Sequence, residues 1–269
     1  MTKSSDKIPV SCFIIACNEE ERIARTISSI IDWVDEVILI DSGSTDKTIE
    51  IAGKLGARII FNKWAGYGPQ KRFGEEQCSN DWLLNIDADE VITPALQKEI
   101  RTLFEGTKDQ TKASIGHYSG YHLRVIDILP GREKPLPLAS KYNIVRLYNQ
   151  RKVRYSDSQI HDRVETAGQP LGQLIELVHH HSILSISQII TKLNSYSDLQ
   201  AKAMKPKGLW KLKIRLVTEF PLNFLRIYFL RGYFMGGSAG LTYSMVFASF
   251  RFFRVAKMLE KLQHKQHNR

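Results

Sequence analysis

Three acidic residues crowd the end of an apolar segment in the first third of the chain. Trp82 to Ile86 is followed at once by Asp87-Ala88-Asp89-Glu90. A run this hydrophobic indicates a buried strand, and ligands of α/β sheets bind outside the carboxyl ends of the strands. Neighbouring carboxylates repel one another unless a cation lies between them, and Mg²⁺ typically takes one or two carboxylates together with substrate phosphate oxygens. The pattern favours a divalent metal site over a solvated acidic loop.

Two more polar clusters follow predicted strands earlier in the chain. Asn18-Glu19-Glu20 comes after the first strand, and Asp41 with Asp46 comes after the second. Acids gathered at adjacent strand ends can hydrogen-bond a base and a ribose and can hold a cation on phosphates. Neither of the glycine-rich phosphate-binding loops is present. We therefore expect phosphates to be neutralised by a metal and by Lys71 or Arg72.

The elements that must position these residues alternate between strand and helix. Apolar segments predict strands, and helical periodicity, capping residues and Pro69 predict helices between them. This alternation predicts an α/β fold with a mostly parallel sheet. Further strands are expected later in the chain, with a helix after Ser185. The predicted strands are Val10–Ala16, Glu36–Ile40, Arg58–Phe61, Trp82–Ile86, Tyr121–Ile128, Tyr142–Tyr148 and Leu174–His181, and a helix is predicted over Pro94–Phe104.

The positive charge of the chain is concentrated near its C-terminus. The net charge is +10, yet residues 202–269 hold 14 Lys and Arg against two acids, a net charge of +12. The remainder is therefore nearly neutral, at −2. We predict two regions, a catalytic domain over residues 1–200 and a basic, aromatic-rich helical region over 201–269. Such asymmetry indicates nucleic acid or an anionic membrane surface as a partner.

The C-terminal region has features of a membrane-associating segment. Gly232 to Phe250 carries no charge and is long enough to suggest a span, but glycine, serine and tyrosine dilute its hydrophobicity. Arginines interleave with aromatic residues on both sides, which suits the headgroup region. No recognised nucleic-acid-binding motif is present. Amphipathic helices lying on a membrane surface are favoured over a packed helical hairpin, and over a true span. The three cysteines and the polar N-terminus indicate a reducing, cytosolic location.

At three motifs the sequence resembles the family 2 inverting glycosyltransferases, which have the GT-A fold. The motifs are Cys17-Asn18-Glu19-Glu20, Ile40 to Thr48 and Asp87 to Glu90. The resemblance is closer to the bacterial branch that adds a sugar to the inner core of lipopolysaccharide, whose stretch between the second and third motifs resembles Trp64 to Arg72. It covers residues 10 to 105 well and the remainder weakly.

The resemblance implies a role for each matching residue. Asp41 would read the nucleotide base, Asp87 would hold the ribose, and Asp89 would ligate Mg²⁺ or Mn²⁺ on the diphosphate. Asn18, Glu19, Ser44 and Lys71 complete the predicted nucleotide-sugar site. A departing nucleoside diphosphate builds negative charge, which a cation stabilises.

The resemblance also implies a catalytic base and a histidine near the metal. The base is an acid that follows a histidine, and His161-Asp162 matches, although Asp162 stands where many relatives carry Glu; Glu165 is the alternative. For the histidine, His180 fits the spacing to Ser185 best. His179 and His181 stay open, since neighbouring strand side chains point to opposite faces.

The predicted function is a metal-dependent, inverting transfer of a hexose, with UDP-glucose as the expected donor. The expected acceptor is a lipid-linked glycan of the lipopolysaccharide inner core, at the inner face of the cytoplasmic membrane, with no role for nucleic acid. Two alternatives are a phosphatase of the haloacid-dehalogenase type, whose motif Asp87-Ala88-Asp89-Glu90-Val91 also fits, and a non-catalytic membrane-binding relative. The phosphatase motif normally opens its fold, whereas here three strand–helix units precede it.

Overall fold

A computed structural model of the chain describes residues 7–105, 115, 117–158, 163–203 and 208–267. Eight of its strands form one sheet in the order β3-β2-β1-β4-β7-β6-β10-β5, and two short strands pair separately. The strands are β1 (Ile8–Ala16), β2 (Val34–Asp41), β3 (Arg58–Phe61), β4 (Trp82–Asn85), β5 (Glu90–Ile92), β6 (Gly120–Asp127), β7 (Lys141–Asn149), β8 (Arg154–Tyr155), β9 (Val164–Glu165) and β10 (Leu171–His180).

The first four strands of the large sheet are parallel. β1 lies between β2 and β4, with Ala16 beside Asp41 and Phe13 beside Asn85, and β3 extends the sheet beyond β2. Most residues of β1, β2 and β4 are buried on both faces, as expected of a parallel sheet covered by helices, whereas the edge strand β3 is only partly covered. The predicted GT-A-type α/β fold, a Rossmann-like sheet with flanking helices, is confirmed.

The later strands extend this sheet with antiparallel partners. β7 pairs with β4 and β6, and β10 pairs with β5. The pairing of β10 with β5 sets His180 opposite Glu90 and His179 opposite Val91. Because β5 starts three residues after Asp87, this antiparallel pair brings the histidines from late in the chain to the acidic cluster.

The helices up to residue 104 connect the strands of the sheet and pack against it. Thr93 caps α4 by accepting a hydrogen bond from the backbone N–H of Leu96, and Pro94 follows at the first helical position. α3 begins at Tyr67, two residues before the predicted start at Pro69, which still lies in the first turn, where no backbone N–H is required. The helices are α1 (Ile23–Ser28), α2 (Thr48–Lys54), α3 (Tyr67–Glu76), α4 (Pro94–Phe104), α5 (Ile186–Ala203), α6 (Leu209–Leu225) and α7 (Gly237–His267).

The chain divides into two compact units. The first comprises Met1–Ile126 with Lys141–His181, and the second comprises Asp127–Ser140 with Ser182–Arg269. The first unit holds the sheet and its helices. The second is helical, and α7 packs along both α5 and α6. The division into a catalytic region over residues 1–200 and a helical region over residues 201–269 stays a prediction. Compact units are defined by contacts, and contacts do not decide where a catalytic region ends.

The uncharged segment from Gly232 to Phe250 is not one continuous helix. Gly232 adopts a left-handed backbone conformation, a 3₁₀ turn follows over Tyr233–Gly236, and α7 starts at Gly237. No helix in the described part of the chain combines the length and apolar character that crossing a membrane requires.

Candidate active site

The loops after β1 and β2 are joined by hydrogen bonds that form one wall of the candidate site. The backbone N–H of Asn18 donates to Ser44 Oγ at 2.9 Å, and the backbone N–H of Thr45 donates to Asn18 Oδ1 at 2.9 Å. Asn18 has a φ of +58°, a conformation that asparagine tolerates better than most residues. The backbone N–H of Glu19 donates to Thr48 Oγ1 at 2.7 Å, so both loops are held at the same sheet edge.

Asp41 lies at the base of this wall and is 1% exposed. Its carboxylate accepts hydrogen bonds from the backbone N–H groups of Gly43 at 2.8 Å and Ser44 at 3.0 Å, and from the Ser44 hydroxyl. Gly43 has a φ of +110°, which lets the loop turn back onto the carboxylate. Asp41 therefore shapes the loop in which Ser44 and Asn18 meet.

Asp87 is held by two buried cations. Lys71 Nζ, on α3, donates to Asp87 Oδ1 at 3.1 Å, and Arg146, on β7, pairs with both carboxylate oxygens. Burial alone would raise the pKa of Asp87, but Arg146 and Lys71 hold that pKa well below its usual range. One third of the Asp87 side chain is exposed, and a carboxylate has about four acceptor sites. Asp87 can therefore still accept a hydrogen bond from a ligand.

Arg146 organises the floor of the site. Its Nη2 lies 2.8 Å from Glu90 Oε1, and its Nη1 donates to Asn85 Oδ1 at 2.9 Å. Glu90 is almost fully buried, and burial raises its pKa. Arg146 was not among the predicted site residues, although one signal in the sequence pointed to it: a single arginine interrupts the apolar run Ile144 to Tyr148. A charge buried in a strand requires an acidic partner.

Asp89 and His180 meet beside this floor. His180 Nε2 lies 3.3 Å from Asp89 Oδ2, and the two side chains are 20% and 17% exposed. Burial raises the pKa of Asp89, but the hydrogen bond and charge of His180 outweigh it and lower that pKa. Arg22 Nη1 lies 3.4 Å from the same carboxylate oxygen, while Arg22 Nε donates to Glu19 Oε2 at 2.8 Å. Arg22, which the sequence analysis also missed, links the first acidic cluster to the third.

Asp89 and His180 fit a divalent metal that shares its coordination with a substrate. The described residues contain no group of three or more His, Cys, Asp or Glu side chains able to hold a metal alone. One carboxylate oxygen and one imidazole nitrogen, 3.3 Å apart and reachable from solvent, are nevertheless compatible ligands of one ion. Mg²⁺ and Mn²⁺ complete such a shell with water and phosphate oxygens.

The neighbouring histidines occupy different positions. His181 donates its backbone N–H to the Asp89 carbonyl at 2.8 Å, and its Nδ1 lies 3.2 Å from Arg25 Nη1. Burial, and then the charge of Arg25, lower the pKa of His181 to about 4. Tyr142 Oη lies 3.2 Å from His180 Nδ1, which leaves Nε2 directed at Asp89. Of the three histidines, His180 is the one paired with Asp89.

The predicted base, Asp162, lies outside the described residues, as does His161. The segment before it is anchored on α3: the backbone N–H of Gly68 donates to the Ser158 carbonyl at 3.0 Å. A Cβ at Gly68 would lie 2.2 Å from the Ser156 carbonyl oxygen, so only glycine permits this approach. The alternative base, Glu165, lies on β9 and is exposed.

Comparison with known proteins identifies the family. The model of glycosyl transferase family 2 matches residues 11–161, which contain the interlocked loops and the acidic cluster. The chain belongs to glycosyl transferase family 2. It is therefore a glycosyltransferase, and this membership decides against the phosphatase alternative.

Relatives of this glycosyltransferase span nearly its whole length. It is 40% identical over 262 residues to an uncharacterized glycosyltransferase of Rickettsia felis, covering 94% of this chain and 90% of the relative. It is 30% identical over 261 residues to the lipopolysaccharide core biosynthesis glycosyltransferase LpsC of Rhizobium meliloti, covering 95% and 93%. A solved structure of glucosyl-3-phosphoglycerate synthase from Mycobacterium tuberculosis, in complex with Mn²⁺, UDP and glucosyl-3-phosphoglycerate, is 27% identical, with a TM-score of 0.32 over 45% of this chain and 44% of that one.

Proposed function

We propose that this glycosyltransferase moves glucose from UDP-glucose to a lipid-linked glycan of the lipopolysaccharide inner core, with inversion at the anomeric carbon. The observation that carries the proposal is the Asp89–His180 pair, which lies next to Asp87 and is linked through Arg22 to the loop after β1. The name of the LpsC relative supports a lipopolysaccharide core acceptor.

In this proposal the sheet edge binds the donor in three parts. The loop built on Asp41, with Ser44, Asn18 and Glu19, receives the base. Asp87 accepts a hydrogen bond from the ribose on the third of its side chain that is exposed. Lys71, whose Nζ is fully buried against Asp87, acts by fixing that carboxylate rather than by reaching the phosphates. This differs from the direct phosphate contact that its sequence position suggested.

Asp89 and His180 would hold the divalent metal against the diphosphate. When bound, the metal supplies positive charge that stabilises the departing nucleoside diphosphate. Arg22 adds a second fixed positive charge beside Asp89, oriented by Glu19 at 2.8 Å. Fixed charges of this kind stabilise developing negative charge without reorganising.

The acceptor hydroxyl must lose a proton as it attacks, and we assign that role to Asp162. The contact of Gly68 with the Ser156–Ser158 segment fixes the described part of the chain that precedes this residue in sequence. Glu165 is the alternative base. Replacing Asp162 by Asn in one variant and Glu165 by Gln in another distinguishes the two candidates. The variant that lacks the true base loses turnover with little change in donor affinity, whereas the other variant keeps both its turnover and its donor affinity.

The second unit supports association with the inner face of the cytoplasmic membrane. Its helices expose large apolar side chains beside the exposed cations Lys211 and Lys213. Apolar side chains next to basic ones bind anionic lipid surfaces. The most exposed apolar residues of these helices are Leu199 (63%), Trp210 (73%), Val217 (75%), Leu222 (62%) and Leu230 (77%).

The donor and the metal are tested together with the purified full chain. We expect turnover of UDP-glucose in the presence of Mn²⁺, loss of turnover without it, and a product whose anomeric configuration is inverted relative to that of the donor. Asp89→Ala removes a metal ligand and should lower turnover at least about 100-fold, since a metal contributes several kcal/mol to the transition state. Asp32→Ala, at an exposed acid outside the site, is the matched control.

Two results would contradict the proposal. The first is that no UDP-sugar is bound or turned over, and the second is that Asp89→Ala matches Asp32→Ala in activity. Metal binding has an independent measurement, the spin-resonance signal of free Mn²⁺ titrated with protein and UDP. His180→Ala should leave more Mn²⁺ free than wild type, and an unchanged signal would remove His180 from the site.

A further inference from the structure

Three arginines of the second unit converge on a single carboxylate. Glu219, on α6, is 9% exposed. Arg215, one turn earlier, donates to it from Nε and Nη2 at 3.0 Å each. From α7, Arg254 Nη2 donates to Glu219 Oε1 at 3.1 Å, and Arg251 Nε lies 3.6 Å from the same oxygen. We call Arg215, Arg251 and Arg254 the arginine cluster.

The arginine cluster carries more positive charge than its surroundings neutralise. Glu219 is the only carboxylate of the described residues that pairs with any of the three. The other acceptor of Arg254 is neutral, the Gln200 side-chain oxygen at 3.1 Å. Three positive charges against one carboxylate leave two positive charges uncompensated. One of the three arginines, Arg254, is buried, with 8% of its surface exposed. Burial, and then the charge of Arg251, lower the pKa of Arg254 despite its contact with Glu219.

The arginine cluster also holds hydrogen-bond donors without acceptors. Arg215 Nη1, Arg251 Nε and Arg254 Nε are buried and have no hydrogen-bond partner among the described residues. Buried polar groups in native proteins are nearly always hydrogen-bonded, so unpaired donors indicate a bound water or ion. Three unpaired N–H groups on cations with excess positive charge call for an anion.

We propose that the arginine cluster is a binding site for a phosphate group, either free or carried by a lipid headgroup. Guanidinium groups donate paired hydrogen bonds that match phosphate oxygens, and phosphate sites are accordingly rich in arginine. The side chains of Arg251 and Arg215 are 39% and 23% exposed, which leaves the cluster open to solvent on one side. The site goes beyond the proposed transfer reaction and uses none of its residues.

Phosphate binding is measured on the full chain as the shift in its thermal unfolding midpoint. Inorganic phosphate is titrated against chloride at constant ionic strength, without donor or metal. A ligand that binds only the folded state raises the midpoint with its concentration. Arg251→Gln removes one charged donor and should weaken phosphate binding about tenfold. Arg226→Gln, which removes an exposed arginine of the same unit, should leave it unchanged.

This control separates the arginine cluster from the donor site. Phosphate bound at the acidic edge would respond to neither variant, so a shift that survives Arg251→Gln unchanged overturns the proposal. A second variant gives an effect of opposite sign: Glu219→Gln removes the competing carboxylate. We expect it to lower the midpoint without phosphate and to bind phosphate several-fold more tightly. A Glu219→Gln midpoint that phosphate does not raise means that the cluster is only a clamp between helices, and overturns the proposal.

Vesicles distinguish the two sources of the phosphate group. For a lipid headgroup, Arg251→Gln reduces sedimentation with phosphatidylglycerol vesicles more than Arg226→Gln does, and phosphatidylcholine vesicles bind neither. If the ligand is free phosphate, Arg251→Gln and Arg226→Gln sediment alike with the vesicles. Inorganic phosphate then still raises the unfolding midpoint of Arg226→Gln more than that of Arg251→Gln. If neither inorganic phosphate nor phosphatidylglycerol distinguishes Arg251→Gln from Arg226→Gln, there is no anion site.

Discussion

Two ionic centres of this glycosyltransferase differ in their ratio of cations to carboxylates. In the first unit, Asp87 and Glu90 face Lys71 and Arg146, so two carboxylates meet two cations. In the second unit, three arginines share Glu219. The first centre neutralises its own charges, whereas the second retains an excess of positive charge, which the proposed phosphate group would balance. This difference predicts different responses to substitution in the two centres.

The same distinction applies within the acidic cluster, between residues two positions apart. Asp87 is held by two cations with almost no exposure, at 0% and 2%. Asp89 contacts His180 and Arg22 at 3.3 and 3.4 Å, near the limit for direct pairing. Asp87 is therefore fixed by close ion pairs, whereas the more loosely paired Asp89 is the carboxylate that we propose exchanges its partners for a metal.

The largest expected effect comes from breaking the balanced centre. Arg146→Met removes the cation between Asp87 and Glu90 and leaves Glu90 buried without a counter-ion. Breaking a buried pair costs about 3–5 kcal/mol of unfolding free energy. Arg151→Met is the control, since Arg151 pairs with Asp81 on the surface, where such pairs contribute about 0–1 kcal/mol. Urea unfolding measures both, and equal losses would mean that Arg146 is not the organising residue.

A second prediction concerns the contrast between Asp87 and Asp89. Asp87→Asn leaves Lys71 Nζ, which has no exposure, facing a neutral amide, so we expect a loss of about 3 kcal/mol. Asp89→Asn should cost less than about 1 kcal/mol, because its partners are loosely held. Unfolding by urea again gives the values. Mn²⁺ binding should show the reverse order, with Asp89→Asn weakening it more than Asp87→Asn does. If Asp87→Asn weakens Mn²⁺ binding more, the assignment of the two roles is wrong.

A third ionic centre surrounds the titrating carboxylate of Glu75, with Arg154 Nε at 3.1 Å and Arg72 Nη1 at 3.9 Å. Glu75 accepts from Tyr148 Oη and the Tyr155 backbone N–H at 2.9 Å each and from Arg154 Nε at 3.1 Å. Burial outweighs these contacts and raises the Glu75 pKa. The folded state therefore binds a proton more tightly than the unfolded state, and this contribution to stability is lost as pH rises from about 4.3 through the folded-state pKa.

The expected size is about 1.4 kcal/mol for each unit by which the pKa is raised. Glu75→Gln keeps an oxygen acceptor and cannot ionise, so its unfolding free energy should fall less than that of wild type between pH 4 and pH 7. Glu76→Gln, at the adjacent and exposed acid, should behave as wild type. Urea unfolding at several pH values tests this, and parallel curves for all three proteins would contradict the Glu75 assignment.

The sequence predicted the local features of this fold better than its long-range contacts. The bounds of β3 and α4 agree with their predictions because apolar runs, a threonine cap and a proline are local signals. The pairing of Asp89 with His180 depends on β10 lying beside β5, 90 residues apart along the chain, yet the family resemblance pointed to His180. Nothing local predicted that Arg146 would meet Asp87 and Glu90, because that contact follows from the order of β4 and β7 in the sheet.

The arginine cluster illustrates the same limit in the second unit. The charge count predicted a basic C-terminal region, and the arginines on either side of Gly232 to Phe250, which include Arg251 and Arg254, were expected to lie in the lipid headgroup region. Their position around Glu219 depends on how α6 packs against α7. A count of charges identifies an excess, and only the packing of helices decides where that excess is concentrated.

The smallest expected effect on stability tests whether the exposed apolar surface of the second unit serves a membrane. Leu230 is 77% exposed in a π-helical turn after α6, and Ile175 is 64% exposed on β10 of the first unit. Replacing either by Ser removes a similar apolar area and should change the unfolding free energy by less than about 0.5 kcal/mol.

On phosphatidylglycerol vesicles the two variants should differ in sedimentation. Leu230→Ser should bind the vesicles at least about tenfold more weakly, because burying such a side chain is worth about 1.5–3 kcal/mol, whereas Ile175→Ser should sediment as wild type. Equal sedimentation of the two variants would mean that the apolar side chains of the second unit do not enter the lipid, leaving its charge as the only basis for membrane association.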